Sequence, residues 1–257
     1  MLGLLRKLGP EHPGPRQGVA RVPEGTRFYV VGDIHGRADL LRRLHVLIDD
    51  DARGVPAGTK RIVVYIGDYV DRGPESRAVI DCLLEEPLAD FEQVFLKGNH
   101  EDALLQFLED PTTGPEWFSI GGDATLLGYQ VGVLPGVATQ ERLLDIQRQL
   151  KSAIPREHLD FFDRLRLSFE AGDYLFVHAG IDPERSLARQ RPADLLWIRE
   201  DFLMSEKMYE KIVVHGHTPH AEPEVKPNRI GIDTGAYYSN RLTCLVLEGR
   251  TRRFLHT

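Results

Sequence analysis

The chain has 257 residues, a formal net charge of −7 and a pI near 5.8, which suits an α/β domain with a substantial core and argues against nucleic acid as a partner. Its two cysteines, Cys82 and Cys244, stand far apart without metal-site spacing, so neither a disulfide framework nor a thiolate metal site is expected. The start is too short in apolar residues for a secretory signal and no run approaches the roughly 20 of a membrane span, so the expectation is a cytoplasmic protein with no membrane partner.

Residues 1–26 are rich in Pro, Gly and basic side chains and read as a loosely held arm, with a weak amphipathic turn over residues 2–8, ahead of a domain spanning 27–257. The run Phe28-Tyr-Val-Val31 reads as a strand leading directly into Gly32-Asp-Ile-His-Gly36. A helix is expected next, with Asp39 as its N-cap and Leu40, Leu41, Leu44, Leu47 and Ile48 on one face. Pro56 and Gly58 break the chain before a second strand over 62–66, which ends in Gly67-Asp-Tyr-Val-Asp-Arg-Gly73. Pro74 is expected to start a helix that carries Val79, Ile80, Leu83 and Leu84 inward, with Cys82 as filler. A third strand over 93–96 ends in Lys97-Gly-Asn-His-Glu101. Strand, polar motif and helix repeat in this order, the βαβ signature of a mainly parallel sheet whose ligands gather at the strands' carboxyl ends.

The rhythm changes over residues 103–166, which read as a helical insertion beside the site and the natural place for substrate selectivity; Trp117 and Phe118 there are assigned to ordinary packing. Tyr174-Leu-Phe-Val177 is the next strand and delivers His178; Lys211-Ile-Val-Val214 follows and delivers His215-Gly-His217. Strands over 229–233, 242–247 and 252–255 lie close in sequence without helices between, so antiparallel pairing is expected for them. The pattern alone gives an α/β class with one mixed sheet.

Five strand ends thus present Asp33 and His35; Asp68, Asp71 and Arg72; Asn99 and His100; His178; and His215 with His217. Burying Asp68 unpaired at the end of an apolar strand would cost roughly several kcal/mol, which points to a metal as the compensating charge. Oxygen and imidazole donors suit Mn, Fe or Zn. Two ions roughly 3.5–4 Å apart sharing one carboxylate can activate a water and clamp a phosphoryl group, while spare imidazole and guanidinium groups protonate a leaving group and hold phosphate oxygens. One Asp at a strand end is usually a turn residue and one His a satisfied polar group; five such ends in one chain call for more than that. The residues point to a two-metal hydrolase acting on a phosphate ester.

The three motifs at 32–36, 67–73 and 98–101 also resemble the signature motifs of the phosphoprotein phosphatases, in order and spacing, with His178 and Gly216-His-Thr-Pro219 following as that family expects. The stretch from Trp197-Ile-Arg199 through Asp233-Thr-Gly-Ala236 resembles the bacterial and bacteriophage branch of protein-serine/threonine phosphatases, and the likeness runs from about residue 28 to 247. It implies a calcineurin-like fold of two packed mixed sheets flanked by helices. It implies a first ion on Asp33, His35 and Asp68, with Asp68 bridging to a second on Asn99, His178 and His217, and Mn as the leading choice over Fe or Zn. His100 resembles the general acid, oriented by Asp71 and raised in pKa by its charge. Arg72 and Arg199, helped by Asn99 and Tyr238, would hold the phosphate of a phosphoprotein or phosphopeptide, and water activated between the ions would attack directly, with no phosphoenzyme. Tyr237 belongs with Tyr238 at the pocket or its rim. His215 and His220 are assigned structural roles, and His12, His45, His158 and His256 the surface. The related symmetrical dinucleoside-tetraphosphate hydrolases tend to read Ala where this chain has Asp71 and Asp where it has Glu101, which favours a protein phosphatase over a diadenosine tetraphosphate hydrolase. A non-catalytic scaffold of the same fold would be expected to lose the acid, the bridge or the arginines, and all are present.

Overall fold

A computed structural model describes residues 20–132 and 139–257. In chain order the elements are β1 (Thr26–Val31), α1 (Ala38–Ala52), β2 (Lys60–Tyr65), α2 (Ser76–Glu85), β3 (Glu92–Phe95), α3 (Asn99–Glu109), α4 (Gly114–Ser119), α5 (Gly122–Gly128), α6 (Gln140–Ala153) and α7 (Arg156–Asp163). There follow β4 (Ser168–Ala171), β5 (Tyr174–Val177), α8 (Pro192–Trp197), α9 (Glu200–Leu203), β6 (Ile212–His215), β7 (Glu224–Val225), β8 (Arg229–Gly231), α10 (Ala236–Ser239), β9 (Thr243–Glu248) and β10 (Thr251–His256). The strands form two sheets, ordered β10-β9-β1-β2-β3 and β4-β5-β6-β8-β7.

Side-chain alternation along the strands explains the layers. Phe28 and Val30 of β1, with Ile62 and Val64 of β2, face Phe176, Val214 and Ile230 of the second sheet, and Phe28 stacks on Phe176 at 6.0 Å. Tyr29, Val31, Val63 and Tyr65 point the other way, into a core closed by Leu41, Leu44 and Ile48 of α1 and Val79 and Ile80 of α2. Leu175, Val177 and Val213 on the outer face of the second sheet pack on Leu195 of α8 and Phe202 of α9. Both faces of each central strand are therefore buried, which is why their sequences are continuously apolar rather than alternating.

Two sheets replace the single mixed sheet of the sequence pattern, as the family resemblance implied. Strands β1, β2 and β3 pair in parallel, and β9 pairs antiparallel with β1 and β10. Strand β8 departs from the antiparallel expectation: it runs parallel to β6, and only the short edge strand β7 pairs antiparallel with it. Strand β4, half-buried at an edge beside β5, carried no sequence signal strong enough to be read.

Several local expectations are corrected. Arg37, not Asp39, is the N-cap of α1, and the Asp39 carboxylate instead accepts two hydrogen bonds from the Arg37 guanidinium at 2.8 and 2.7 Å. Helix α2 starts at Ser76 rather than Pro74. Leu47 is exposed, while His45 is buried with Nε2 2.8 Å from the Tyr65 hydroxyl. His158 is also buried rather than on the surface, set between the Tyr129 hydroxyl at 2.7 Å and Asp81 at 2.9 Å. Residues 20–25, placed in the loose arm, are held to the domain: Val22 is in the core between the sheets and its N–H donates to Gly249 O at 3.0 Å. The amphipathic turn over 2–8 and His12 lie outside the described residues. Among the described residues no helix is long and apolar enough to cross a membrane.

Candidate metal centre

The loops after β1, β2, β3, β5 and β6 converge, and their backbones are forced into uncommon shapes. His35, Asp68, Asp71, Arg72 and His217 all have positive φ, between 46° and 70°, where non-glycine residues are strained. The strain is held by neighbouring loops: Ile34 and His35 both donate N–H bonds to Asp68 O, at 3.0 and 2.8 Å. Glu101, wholly buried, accepts from the backbone N–H groups of Asp68, Tyr69, Val70 and Gly98 at 2.8–3.2 Å, tying the loop after β2 to the start of α3. Close approach also demands glycine at two points. A Cβ on Gly98 would lie 2.1 Å from Asp68 Oδ1, and one on Gly216 would lie 1.9 Å from Asp33 Oδ1.

Asp68 stands in the middle. Its Oδ2 is 3.3 Å from His35 Nε2 and 3.9 Å from His100 Nε2, and its Oδ1 is 3.4 Å from His178 Nε2. Asn99 Oδ1 lies 2.8 Å from both His178 Nε2 and His217 Nδ1, and Asp33 Oδ2 accepts the His217 backbone N–H at 2.9 Å. His35 Nδ1 donates to Val70 O at 2.9 Å and His178 Nδ1 to Ile66 O at 3.0 Å. With both rings neutral, burial having pushed His35 far down and His178 to about 3, each Nε2 is an acceptor beside the Asp68 carboxylate. That of His35 accepts from Arg72 Nη1, while that of His178 faces Asp68 and Asn99 oxygens. Two acceptors facing each other repel unless a cation lies between, and a histidine fixed by its other nitrogen is the usual form of a metal ligand.

Charge and satisfaction give the same answer. Burial raises Asp33 and Asp68 well above the ordinary carboxylate range, with neighbouring carboxylates adding to the effect, Asp233 foremost on Asp33 and Glu101 on Asp68. Asp33 Oδ1, His100 Nε2 and His217 Nε2 are buried with no hydrogen-bond partner. Carboxylate and amide oxygens with imidazole nitrogens, short of positive charge, fit divalent cations. Two compact ligand groups share Asp68: one with His35 and His100, the other with His178 and His217. Asp33, expected beside His35 on the first ion, lies outside both groups.

His100 Nδ1 donates to Asp71 Oδ2 at 2.8 Å, so the two residues expected to pair are hydrogen-bonded. Asp71 also accepts from Trp117 Nε1 at 2.9 Å and from the Thr125 hydroxyl at 2.5 Å. Contrary to the expected rise, His100 is lowered well below its ordinary value by burial and then by Arg72 and Arg199, while burial raises Asp71 to about 7. Burial pushes both partners toward their neutral forms. Arg72 Nη1 is 3.0 Å from His35 Nε2, and its guanidinium lies 5.2 Å from the Tyr237 ring centre. Arg199 Nη1 donates to His217 O at 3.2 Å and to Thr218 Oγ1 at 3.1 Å. Tyr238 is exposed on the rim, edge-on to Tyr237. His215 is buried against Phe202 and Arg229, and His220 lies 3.8 Å from Glu224, both away from the ligand groups.

Sequence reading passed over Thr125, assigned Trp117 to packing, and named Glu101 and Asp233 within motifs without giving either a role. Only Glu101 carried a local signal: a glutamate three residues after Gly98 at a helix start is a capping-box pattern, and its carboxylate does reach back to the Gly98 N–H.

The calcineurin-like phosphoesterase profile matches residues 26–245. The chain belongs to the calcineurin-like phosphoesterase family. It is a metallophosphoesterase of a family with dinuclear metal centres, and the structure holds two groups of candidate metal ligands. Similar relatives include bis(5'-nucleosyl)-tetraphosphatase PrpE (asymmetrical) of Anoxybacillus flavithermus, 25% identical over 240 residues, 85% of this chain and 89% of the relative. The protein of the same name from Oceanobacillus iheyensis is 26% identical over 240 residues, 83% and 86% of the two chains. Among solved structures, a candidate diadenosine tetraphosphatase superposes with a TM-score of 0.55 at 22% identity, covering 93% of this chain and 98% of its own. A cold-active protein tyrosine phosphatase gives 0.54 at 17% identity, covering 98% and 89%. These two structures bear on the fold alone.

Proposed function

We propose that this metallophosphoesterase hydrolyses bis(5'-nucleosyl) tetraphosphates. The observation that carries the reading is the match to proteins named as asymmetrical tetraphosphatases over most of both chains. The motif comparison against the symmetrical hydrolases, which favoured a protein phosphatase, did not bear on the asymmetrical type.

In this reading Asp33, His35 and Asp68 would hold one divalent ion and Asp68, Asn99, His178 and His217 a second, with Mn the leading candidate. The ions supply the charge that polarises the phosphoryl group and lowers the pKa of the attacking water. Arg72 and Arg199 hold phosphate oxygens, Arg199 braced by His217 O and Thr218. His100 presents Nε2 to the leaving oxygen, its ring held in place by Asp71 through Nδ1, and delivers a proton there from its doubly protonated form, which an ionised Asp71 favours.

A phosphoserine or phosphothreonine substrate is the second reading, favoured by Asp71 and Glu101 standing where the symmetrical hydrolases tend to differ. Hydrolysis of diadenosine tetraphosphate and of a phosphothreonine peptide should be measured side by side, on chelated enzyme with and without Mn²⁺. Preferential, metal-dependent turnover of the dinucleotide is expected. The His100→Asn variant should slow it by about 10²–10⁴-fold while retaining metal. Turnover of the peptide alone would move the assignment to the second reading; inactivity on both with metal bound would return the scaffold.

A further inference from the structure

Two large aromatic side chains are left partly in solvent beside the candidate ligands. Trp197 closes α8, whose Leu195 and Leu196 are buried, yet it remains 39% exposed and stands edge-on to His217, ring centres 6.4 Å apart. Tyr237 follows the buried Ala236 in α10, remains 38% exposed, and stands edge-on to His35 at 5.7 Å. His217 belongs to one ligand group and His35 to the other, so each aromatic neighbours a different one of the two groups. The Arg72 guanidinium lies over one face of the Tyr237 ring, 5.2 Å from its centre, and Arg199 follows Trp197 by two residues in sequence. Neither core demands these rings, and leaving them in water forgoes the gain of burying them.

We infer that Trp197 and Tyr237 are stacking platforms for the two nucleobases of a dinucleoside polyphosphate, one on each flank of the metal centre. This rests on the tetraphosphatase reading and adds to it the residues that recognise the bases. An arginine for phosphate beside an aromatic for a base, repeated on two flanks, matches a ligand whose phosphate chain carries a nucleoside at each end. A phosphorylated side chain needs one arginine flank and no second platform. Stacking tolerates any base, because every base offers a flat face, so the inference predicts little preference among adenine, guanine and uracil at either end.

The test compares the KM for diadenosine tetraphosphate with the inhibition constant of inorganic tetraphosphate, which has the same phosphate chain without bases. In Trp197→Ser the ratio of KM to inhibition constant should rise about 5- to 100-fold, and in Trp197→Phe it should return to within about threefold of wild type. Tyr237→Ser and Tyr237→Phe should behave in the same way, read as the same ratio because Tyr237 also touches Arg72. A ratio unchanged in both serine variants, with the wild type active on the dinucleotide, overturns the stacking inference and leaves the tetraphosphatase reading standing. A wild type that does not cleave the dinucleotide overturns both.

Discussion

At the residue scale, the structure gives a tryptophan read as ordinary packing a hydrogen bond to Asp71. Trp117 packs as expected, but its one N–H ends on Asp71, the carboxylate that also holds His100. Replacing it with phenylalanine keeps most of the packing and removes one of the donors that fix that carboxylate. Partners in such outer positions typically alter activity about 10- to 100-fold, so Trp117→Phe should lower kcat about tenfold with KM and metal content little changed. Steady-state kinetics with metal analysis on the same preparation would check this; a normal kcat would make Trp117 packing alone. The sequence could not show this contact, because nothing in the spacing of residues 71 and 117 relates an insertion helix to the loop after β2.

At the scale of elements, Glu101 joins the loop after β2 to α3. Four backbone N–H groups point at its two oxygens, so Glu101→Gln would set an amide NH₂ against donors it cannot accept from. The expected cost is about 2–4 kcal/mol of stability, read from urea unfolding of chelated protein, together with weaker metal binding as Asp68 loses its loop geometry. An unchanged urea midpoint would mean that the loop is held by other contacts. The strands themselves were legible at this scale because β1, β2, β3, β5 and β6 are apolar runs broken by polar motifs. The partners of β8 were not, since short connections favour antiparallel neighbours, and here residues 216–228 return the chain to run parallel with β6.

At the scale of the molecule, the fold gathers buried carboxylates where five loops meet, with Arg72 and Arg199 as the neighbouring cations. Divalent metal should therefore stabilise the protein by mass action: at about 100 times the dissociation constant the gain is about 2.7 kcal/mol, or roughly 5–10 °C in Tm for a chain of this size. Differential scanning of chelated protein titrated with Mn²⁺ measures it. Asp68→Asn should abolish the gain and raise the Tm of the chelated protein, because it removes a buried charge that Asp33 and Glu101 oppose. A full Mn²⁺ shift in that variant would place the cation elsewhere.

Acid should act through His45, which burial pushes down to about 4. Above pH 6.5 the imidazole is neutral in both folded and unfolded chains. Below it the unfolded chain takes up a proton that the folded chain refuses until about pH 4, so stability falls with pH across that window. Between pH 7 and 5 this group accounts for about 2 kcal/mol. His45→Gln, which keeps an acceptor for Tyr65, should flatten that part of the urea-midpoint profile of chelated protein; an unaltered slope would assign the acid sensitivity to other groups.

The sequence by itself determined the calcineurin-like fold, the strand-end motifs and the cluster of oxygen and imidazole donors, though not the branch of the family, because each motif is local: an apolar strand, a tight turn and a polar side chain within a few residues. Tertiary structure alone decided that the strands divide between two sheets, that His45 and His158 go inside, that Asp33 accepts the His217 N–H, and that Trp117 and Thr125 reach Asp71 while Glu101 ties the loop after β2. Those facts depend on which loop meets which across tens of residues, and packing sets that, not residue spacing.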